Sequence, residues 1–231
     1  MNKETFVNEL ALRGIKVSDA QLESLINLMK DTLTTNETFN LTAIKDDEVF
    51  LEKMIFDSAI ALQELDLTDK KVIDVGTGAG FPGLVLYILN PNINLTLLDS
   101  TKKKIDYLDN YCKDHNYKVN CVSYRAEEYP KREEYDYAFA RAVASLNILL
   151  ELIIPMLKVG GTFIALKGMG FEQEIIDSEK ALKKLNCHLV KIVEDELPDS
   201  KEKRVMIYIQ KDKETNKKYP RSYADIKKLP L

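Results

Sequence analysis

An α/β fold is what this sequence predicts: a mainly parallel seven-stranded sheet, closed by an antiparallel edge hairpin and preceded by a helical extension. Three observations predict it. From Lys70 onward, short apolar strand-like runs alternate with helical patterns, as in parallel sheets covered on both faces. The last two runs are joined only by the charged stretch Asp195 to Lys203. That is too short and polar for a crossover of about a dozen residues, so these runs should pair antiparallel. Finally, residues 72–83 read V-I-D-V-G-T-G-A-G-F-P-G, a glycine-rich turn between a β-branched run and an apolar helix.

The elements follow in chain order. Residues 1–66 read as the helical extension. Phe6, Leu10 and Leu12 repeat at helical spacing, and Ser18 with Gln21 three residues on forms a capping box ahead of Leu22, Leu25, Ile26, Leu28 and Met29. A polar loop at 34–38 and the stretch Phe39 to Ile44 lead to another helix, roughly 46–65. The core, 67–211, has expected strands at 71–75, 94–98, 119–123, 135–140, 161–166, 187–194 and 203–210. Helices fit between them near 82–90, 101–115, 145–157 and 171–186. Residues 212–231 read as a basic tail.

Composition bounds the function. A chain of 231 residues can bury one α/β core and a small extension. No window approaches ~18 uninterrupted apolar residues, and the N-terminus lacks a signal-peptide layout. Cys112, Cys121 and Cys187 are odd in number and never in a C-x-x-C pair, which points to a reducing cytoplasmic location. With His115 and His188 the only histidines, no metal site is expected, and a monomer is the default. Net charge is −4, but the segment from Lys201 to Leu231 holds ten Lys/Arg against four acids, leaving about −10 on the rest. A basic end on an acidic body suits a nucleic-acid partner; a solvated lysine-rich end is the plainer reading.

The glycine loop admits three readings. A phosphate-binding P-loop fails, because Leu84 and Val85 stand where its Lys and hydroxyl belong. Gly78-x-Gly80-x-x-Gly83, with Asp99 about twenty residues on, formally matches a dinucleotide fingerprint. Read from Gly76, the loop is instead D-x-G-x-G-x-G with Asp74 closing the strand. A carboxylate there repels a pyrophosphate at the helix N-terminus and welcomes the ammonium of a methionine moiety. S-adenosylmethionine is such a ligand, and Asp74 favours it. Asp99 then suits the two ribose hydroxyls, or caps the next helix, or does both. Arg125-Ala126-Glu127 follows the third strand where adenine would lie, with Glu127 accepting from its amine, and Phe81 covers the ligand.

Several further motifs occur in order. They are Asn40-Leu41-Thr42-Ala43-Ile44, Phe56-Asp57-Ser58, Asp74 to Gly83, Leu97-Leu98-Asp99-Ser100, Arg125-Ala126-Glu127, Ala140-Arg141-Ala142-Val143-Ala144 and Leu166-Lys167-Gly168. Together with the closing Lys218-Tyr219-Pro220-Arg221 and Lys228 to Leu231, the chain resembles the small-subunit ribosomal RNA methyltransferase G family, formerly glucose-inhibited division protein B. The resemblance implies a Rossmann-like class I methyltransferase fold. It also implies methyl transfer from S-adenosylmethionine to N7 of one guanine in small-subunit (16S) rRNA. By motif matching, the cofactor contacts are Gly76, Phe81, Asp99, Ser100, Thr101, Ala126, Glu127 and Arg141, beside Asp74, Gly78 and Gly80 of the loop. One departure stands out: many members carry a histidine where this chain has Met54, and arginine is common in place of Lys53.

Guanine N7 has a free lone pair, so the expected chemistry needs alignment and no general base. Arg141 is assigned to the cofactor or the RNA backbone near the methyl, Lys167 to a phosphate or guanine O6, and Asn40 to the base edge. Arg125, Arg204, Lys217, Lys218 and Arg221 are candidate phosphate contacts. The expected partner is small-subunit rRNA, free or within a ribosomal particle. A methyltransferase of a small molecule or protein, and a non-catalytic RNA-binding module, are the competing readings; a nicotinamide-dependent dehydrogenase is a third.

Overall fold

A computed structural model describes residues 1–231. The helical extension is α1 (Lys3–Leu12) and α2 (Asp19–Asn36), then α3 (Asp47–Phe50), a π-helical stretch Leu51–Phe56, α4 (Asp57–Ala59) and a 3-10 turn to Leu62. The capping box at Ser18 and Gln21 forms as expected. The helix expected at 46–65 is thus helical from 47 to 62 but changes winding within it. Short π segments inside helices cluster at functional sites, and this one delivers Met54 and Asp57 to the site described below.

The sheet comprises β1 (Lys71–Val75), β2 (Asn94–Asp99), β3 (Asn120–Ser123), β4 (Tyr135–Arg141), β5 (Leu157–Lys167), β6 (Cys187–Glu196) and β7 (Lys203–Lys211). Their order is β3-β2-β1-β4-β5-β7-β6. β1 to β5 pair in parallel, while β7 runs antiparallel to both β5 and β6. Five parallel strands and an antiparallel hairpin therefore match the sequence expectation, with the hairpin's second strand inserted inside its first. The order reverses between β1 and β4, and open α/β sheets bind ligands at such a switch point, outside the strands' carboxyl ends.

Side-chain alternation divides the core into two layers. In β4, Phe139 joins the layer under α1, α2, α5 (Gly83–Leu89) and α6 (Lys102–Asp114). Its neighbours Ala138 and Ala140 join the opposite layer, under α7 (Leu146–Ile153), α8 (Phe171–Asp177) and α9 (Glu179–Leu185). Two boundaries differ from expectation. The helix expected over 171–186 breaks at Ser178, whose hydroxyl donates to the Glu174 carbonyl at 2.6 Å and competes with the helical ladder. β5 starts at Leu157, ahead of the expected 161, because the ladder with β4 continues across an irregularity: Tyr135 pairs with Leu157 and Tyr137 with Thr162, and Gly160, at φ +82°, lies in the extra length. The C-terminal segment ends in α10 (Tyr223–Lys228), capped by Ser222, whose hydroxyl accepts from the Asp225 amide. Ile226 and Leu231 bury themselves in the second layer.

Candidate active site

Two cavities, of about 390 and 700 Å³, open at the carboxyl edge of the sheet and share Gly76, Gly78, Arg141 and Ala142 as common wall. The first is lined by the end of β2 (Leu98 to Thr101), by Tyr124 to Glu127, and by Val143. The second runs from Leu41, Ile44, Met54 and Asp57 past Phe81 to Lys167, Glu174 and Arg204.

The glycine turn shapes both. Gly76 has φ +74°, and a Cβ there would stand 2.5 Å from Cγ2 of Val143, so only glycine lets the β1 and β4 ends approach this closely. Ala142, directly after β4, also holds φ +54°. Such a conformation in a residue other than glycine costs of order 1 kcal/mol or more and persists where the surroundings over-determine it, typically at functional sites. Gly80 does not face a cavity. Its position is buried against Leu84 and Leu108, so it is a packing glycine and not the ligand contact expected of it.

Asp74 is likewise placed differently from expectation. It is wholly buried beneath the turn and lines neither cavity. Its Oδ2 accepts from the Gly83 amide at 2.8 Å and the Thr77 hydroxyl at 2.7 Å, while Oδ1 has no partner. Asp74 thus occupies from within the N-terminus of α5, the place where a dinucleotide's pyrophosphate would sit. The dinucleotide reading loses its anion site. The methionine-ammonium reading loses its direct contact, because Asp74 acts through the turn.

Burial pushes the Asp74 carboxyl up from 3.8 to about 6, against the pull of Thr77, Gly83 and the Arg141 charge. Between those values the folded chain keeps a proton that the unfolded chain has released. The contribution of this group to stability therefore falls as pH rises from about 4 to about 6. Asp74→Asn, which cannot ionise, should gain on the native protein by up to about 3 kcal/mol across that window, at about 1.36 kcal/mol per unit. Urea unfolding of both proteins at pH 4 and pH 7 checks it; a stability difference that does not change with pH would refute it.

Asp99, 9% exposed, ends β2. Its Oδ2 accepts from the Gly78 amide at 3.0 Å and its Oδ1 from the Thr101 amide at 2.8 Å. Two backbone donors fix the carboxylate, and each oxygen keeps a further lone-pair site, which suits a vicinal diol. Asp99 does not cap α6, whose N-cap position is Thr101 and has no side-chain cap bond; it accepts from that residue's own amide, and the ribose role remains open to it. Ser100, Thr101, Ala126 and Glu127 line the same cavity, with Leu98, Val143 and Leu152 as aliphatic surface. Arg125 donates its Nε to Glu127 Oε1 at 2.8 Å. Carboxylates for a sugar and an amine, apolar walls for a flat base, and a filled anion site fit the adenosine half of S-adenosylmethionine.

Arg141, at the end of β4, joins the two cavities. Its Nη1 donates to the Lys53 carbonyl at 3.3 Å and to Asp57 Oδ2 and Ser58 Oγ at 3.4 Å, and its Nη2 reaches Met54 Sδ at 3.4 Å. Met54, where a histidine is common in the family, therefore touches the central arginine. Burial pulls the Arg141 pKa below its ordinary value against the charges of Asp57 and Asp74, yet a guanidinium stays protonated. Asp57 Oδ2 is shared with Arg204 Nε at 3.0 Å, and Arg204 also binds Glu202 at 2.9 Å. Phe81 lies under this cluster, 5.9 Å from the Arg141 guanidinium and edge-on to Phe50 at 5.5 Å.

Lys167 lines the second cavity but is held. Its Nζ donates to the Ala144 carbonyl and to Glu174 Oε2, each at 2.7 Å. Asn40 is not brought in. It lies in a separate polar groove with Lys30, Asn36 and Thr42, while its neighbours Leu41 and Ile44 face the cavity. Asn36 is what shapes that loop, its Oδ1 accepting from the Leu41 and Thr42 amides at 2.7 and 2.9 Å. Tyr124, Glu174 and Tyr223, which the sequence did not single out, complete the walls together with Met54, Asp57 and Val143, which it named without giving them a role.

Of the expected phosphate contacts, Lys217 and Lys218 are exposed and without carboxylate partners, and Lys218 lies 5.1 Å over the Tyr219 ring. Arg125 is exposed but tied to Glu127. Arg204 is tied to Asp57 and Glu202. Arg221 is a structural residue: its Nε and Nη2 donate to the two oxygens of Glu151, which is wholly buried, at 2.7 and 2.6 Å. Arg221→Ala should destabilise the fold by about 3 kcal/mol, because it strands a buried charge. It should leave the salt dependence of RNA binding unchanged; urea unfolding beside a salt titration would show whether it does.

The seven-stranded sheet with its reversed hairpin, and a glycine turn walling a cavity at its carboxyl edge, are those of an S-adenosylmethionine-dependent methyltransferase. The fold is similar to that of a SAM dependent methyltransferase from Aquifex aeolicus, at TM-score 0.54 and 18% identity over 77% of this chain and 98% of that one. It is also similar to that of the [4+2]-cyclase SpnF, at TM-score 0.58 and 13% identity over 84% and 96%. Residues 21–205 match the family described as rRNA small subunit methyltransferase G. Proteins named ribosomal RNA small subunit methyltransferase G are 42% identical in Alkaliphilus oremlandii, over 94% of each chain. The one from Fusobacterium nucleatum is 42% identical over 95% of this chain and 97% of its own, and that of Lactobacillus acidophilus 40% over the whole of both. The chain belongs to the rRNA small subunit methyltransferase G family.

Proposed function

We propose that this enzyme transfers the methyl group of S-adenosylmethionine to N7 of a guanine in small-subunit (16S) rRNA. The observation that carries the reading is the pair of cavities meeting at Arg141, one suited to adenosine and the other large enough for a base, in a chain of this family. When bound, the cofactor supplies an electrophilic sulfonium methyl. The chain's own part is alignment. Guanine N7 attacks through an in-plane lone pair, so the scarcity of histidines is no obstacle. Glu174 neutralises Lys167, which also donates to the Ala144 carbonyl; this suits a reaction that moves positive charge onto the base. The target guanine must leave its stack to enter, which favours a loop or single-stranded site.

Arg204 and Arg221 are committed to internal ion pairs, while Lys217 and Lys218 stay exposed on a chain that is acidic outside its C-terminal stretch. This favours a shaped rRNA site, met through a limited basic face around Lys217 and Lys218, over naked RNA; a cytoplasmic monomer is the form in which we propose it acts. The test is transfer of labelled methyl to small subunits and to stripped rRNA, both from a strain lacking the gene. About one methyl per rRNA, at a single N7-methylguanine and lost steeply with added salt, is expected. No transfer to either substrate despite cofactor binding would overturn the reading in favour of a small-molecule substrate or a non-catalytic role.

A further inference from the structure

The last twenty residues do not hang free. Thr215, Tyr219, Ile226 and Leu231 are buried, and Arg132 donates to the carbonyls of Thr215 at 3.2 Å and Tyr219 at 2.5 Å. With the Arg221–Glu151 pair, these contacts fix the path of the chain into α10. That path brings Tyr223 to the adenosine-shaped cavity, which it lines together with Tyr124, Arg125 and Glu127. Tyr223 is half-buried, and the Arg125 guanidinium lies 5.6 Å from its ring centroid. Arg125 also holds Glu127 at 2.8 Å, so a continuous series of contacts runs from the end of β3 to the C-terminal helix.

We propose that Tyr223 binds the adenine of the cofactor, making the C-terminal segment part of the cofactor site as well as a carrier of lysines for RNA. The proposal rests on the S-adenosylmethionine reading of this cavity. A purine presents two flat faces. The aliphatic surface in the cavity comes from Leu98, Val143 and Leu152, and the aromatic surface from Tyr124 and Tyr223. Tyr124 is half exposed and already engaged edge-on by Tyr129 at 5.8 Å. Tyr223 has no ring–ring contact and is fixed from behind by the burial of Ile226 and Leu231. Its ring is therefore held at the cavity wall with Arg125 over it, where a base can stack on the ring or take the place of the guanidinium.

Calorimetric titration tests this with two probes, S-adenosylhomocysteine and 5′-methylthioadenosine, the second lacking the amino-acid end. The full chain is compared with Tyr223→Ala, Tyr223→Leu and Tyr223→Phe. Loss of one base–aromatic stack should weaken both probes about tenfold in the Ala and Leu variants. Phe should restore binding to within twofold. The KM for cofactor should rise with the KM for rRNA unchanged, a split that a merely structural residue would not produce. The Leu variant keeps the apolar contacts of the helix and so separates loss of stacking from loss of folding. Binding of both probes within twofold of native in the Leu variant overturns the role of Tyr223 alone. Failure of the native chain to bind either probe overturns the cofactor reading beneath it.

Discussion

Replacing Arg141 with alanine should lower kcat/KM for methyl transfer by roughly 10²–10³-fold, the scale of losing one preorganised polar group that aligns or stabilises reacting partners. The guanidinium stands on the wall common to both cavities. Its four contacts lie at 3.3 to 3.4 Å, longer than the ~2.8 Å of a committed charge-assisted bond, so it retains bonding capacity for a ligand. The variant should also remain folded. Asp57, the buried carboxylate beside it, keeps Arg204 at 3.0 Å, so removing Arg141 does not strand a charge. Initial rates with labelled cofactor, beside a thermal melt, decide the matter. A melt within a few degrees of native and a rate loss below fivefold would show that Arg141 is only part of an ion cluster. Arg141→Lys should recover little, because an ammonium lacks the planar fork.

Gly83→Val should destabilise the fold by about 4 kcal/mol, combining overpacking of a dense core with a disturbed buried hydrogen bond. The reason is space and not backbone angle, since Gly83 does not have a left-handed φ. A Cβ there would overlap Cδ2 of Leu97 and stand 2.9 Å from Asp74 Oδ2. Relief would move α5 off the sheet, stretching the Gly83 amide away from the carboxylate it now meets at 2.8 Å. Soluble yield and urea midpoint report the effect, and Gly83→Ala should show a smaller loss of the same kind. A valine variant with a native midpoint would mean that α5 can shift without cost, contrary to this packing.

The sequence made the parallel strands, the hairpin and the glycine turn legible because each is a local pattern. The place of Asp99 was legible too, since a carboxylate closing β2 comes to the carboxyl edge of the sheet, where it lines the first cavity. What stayed hidden depended on partners far along the chain. Charge counting places Arg221 with the exposed lysines, but its partner Glu151 lies 70 residues away on α7. Asp74 was rightly singled out as unusual, yet whether it faces a ligand or the turn depends on how α5 packs. Asn40 and Leu41 are adjacent, and only the loop held by Asn36 determines which of them faces the cavity. Tyr223 had a signal that the basic composition masked: Ser222-Tyr-Ala-Asp225 is a short capping pattern.

The carboxylate of Asp74 at the start of α5 has a consequence for life among abundant metabolites. ATP, NAD and coenzyme A all carry an adenosine, so a cavity that reads only base and ribose would be open to each of them. Here the helix end that would reward their phosphates already holds an anion of the protein's own, which opposes a second. On the S-adenosylmethionine reading of this cavity, the folded chain should therefore bind free nucleotides weakly, which a titration with ATP would show. This opposition also does not depend on the exposed lysines, because Asp74 is wholly buried in the core.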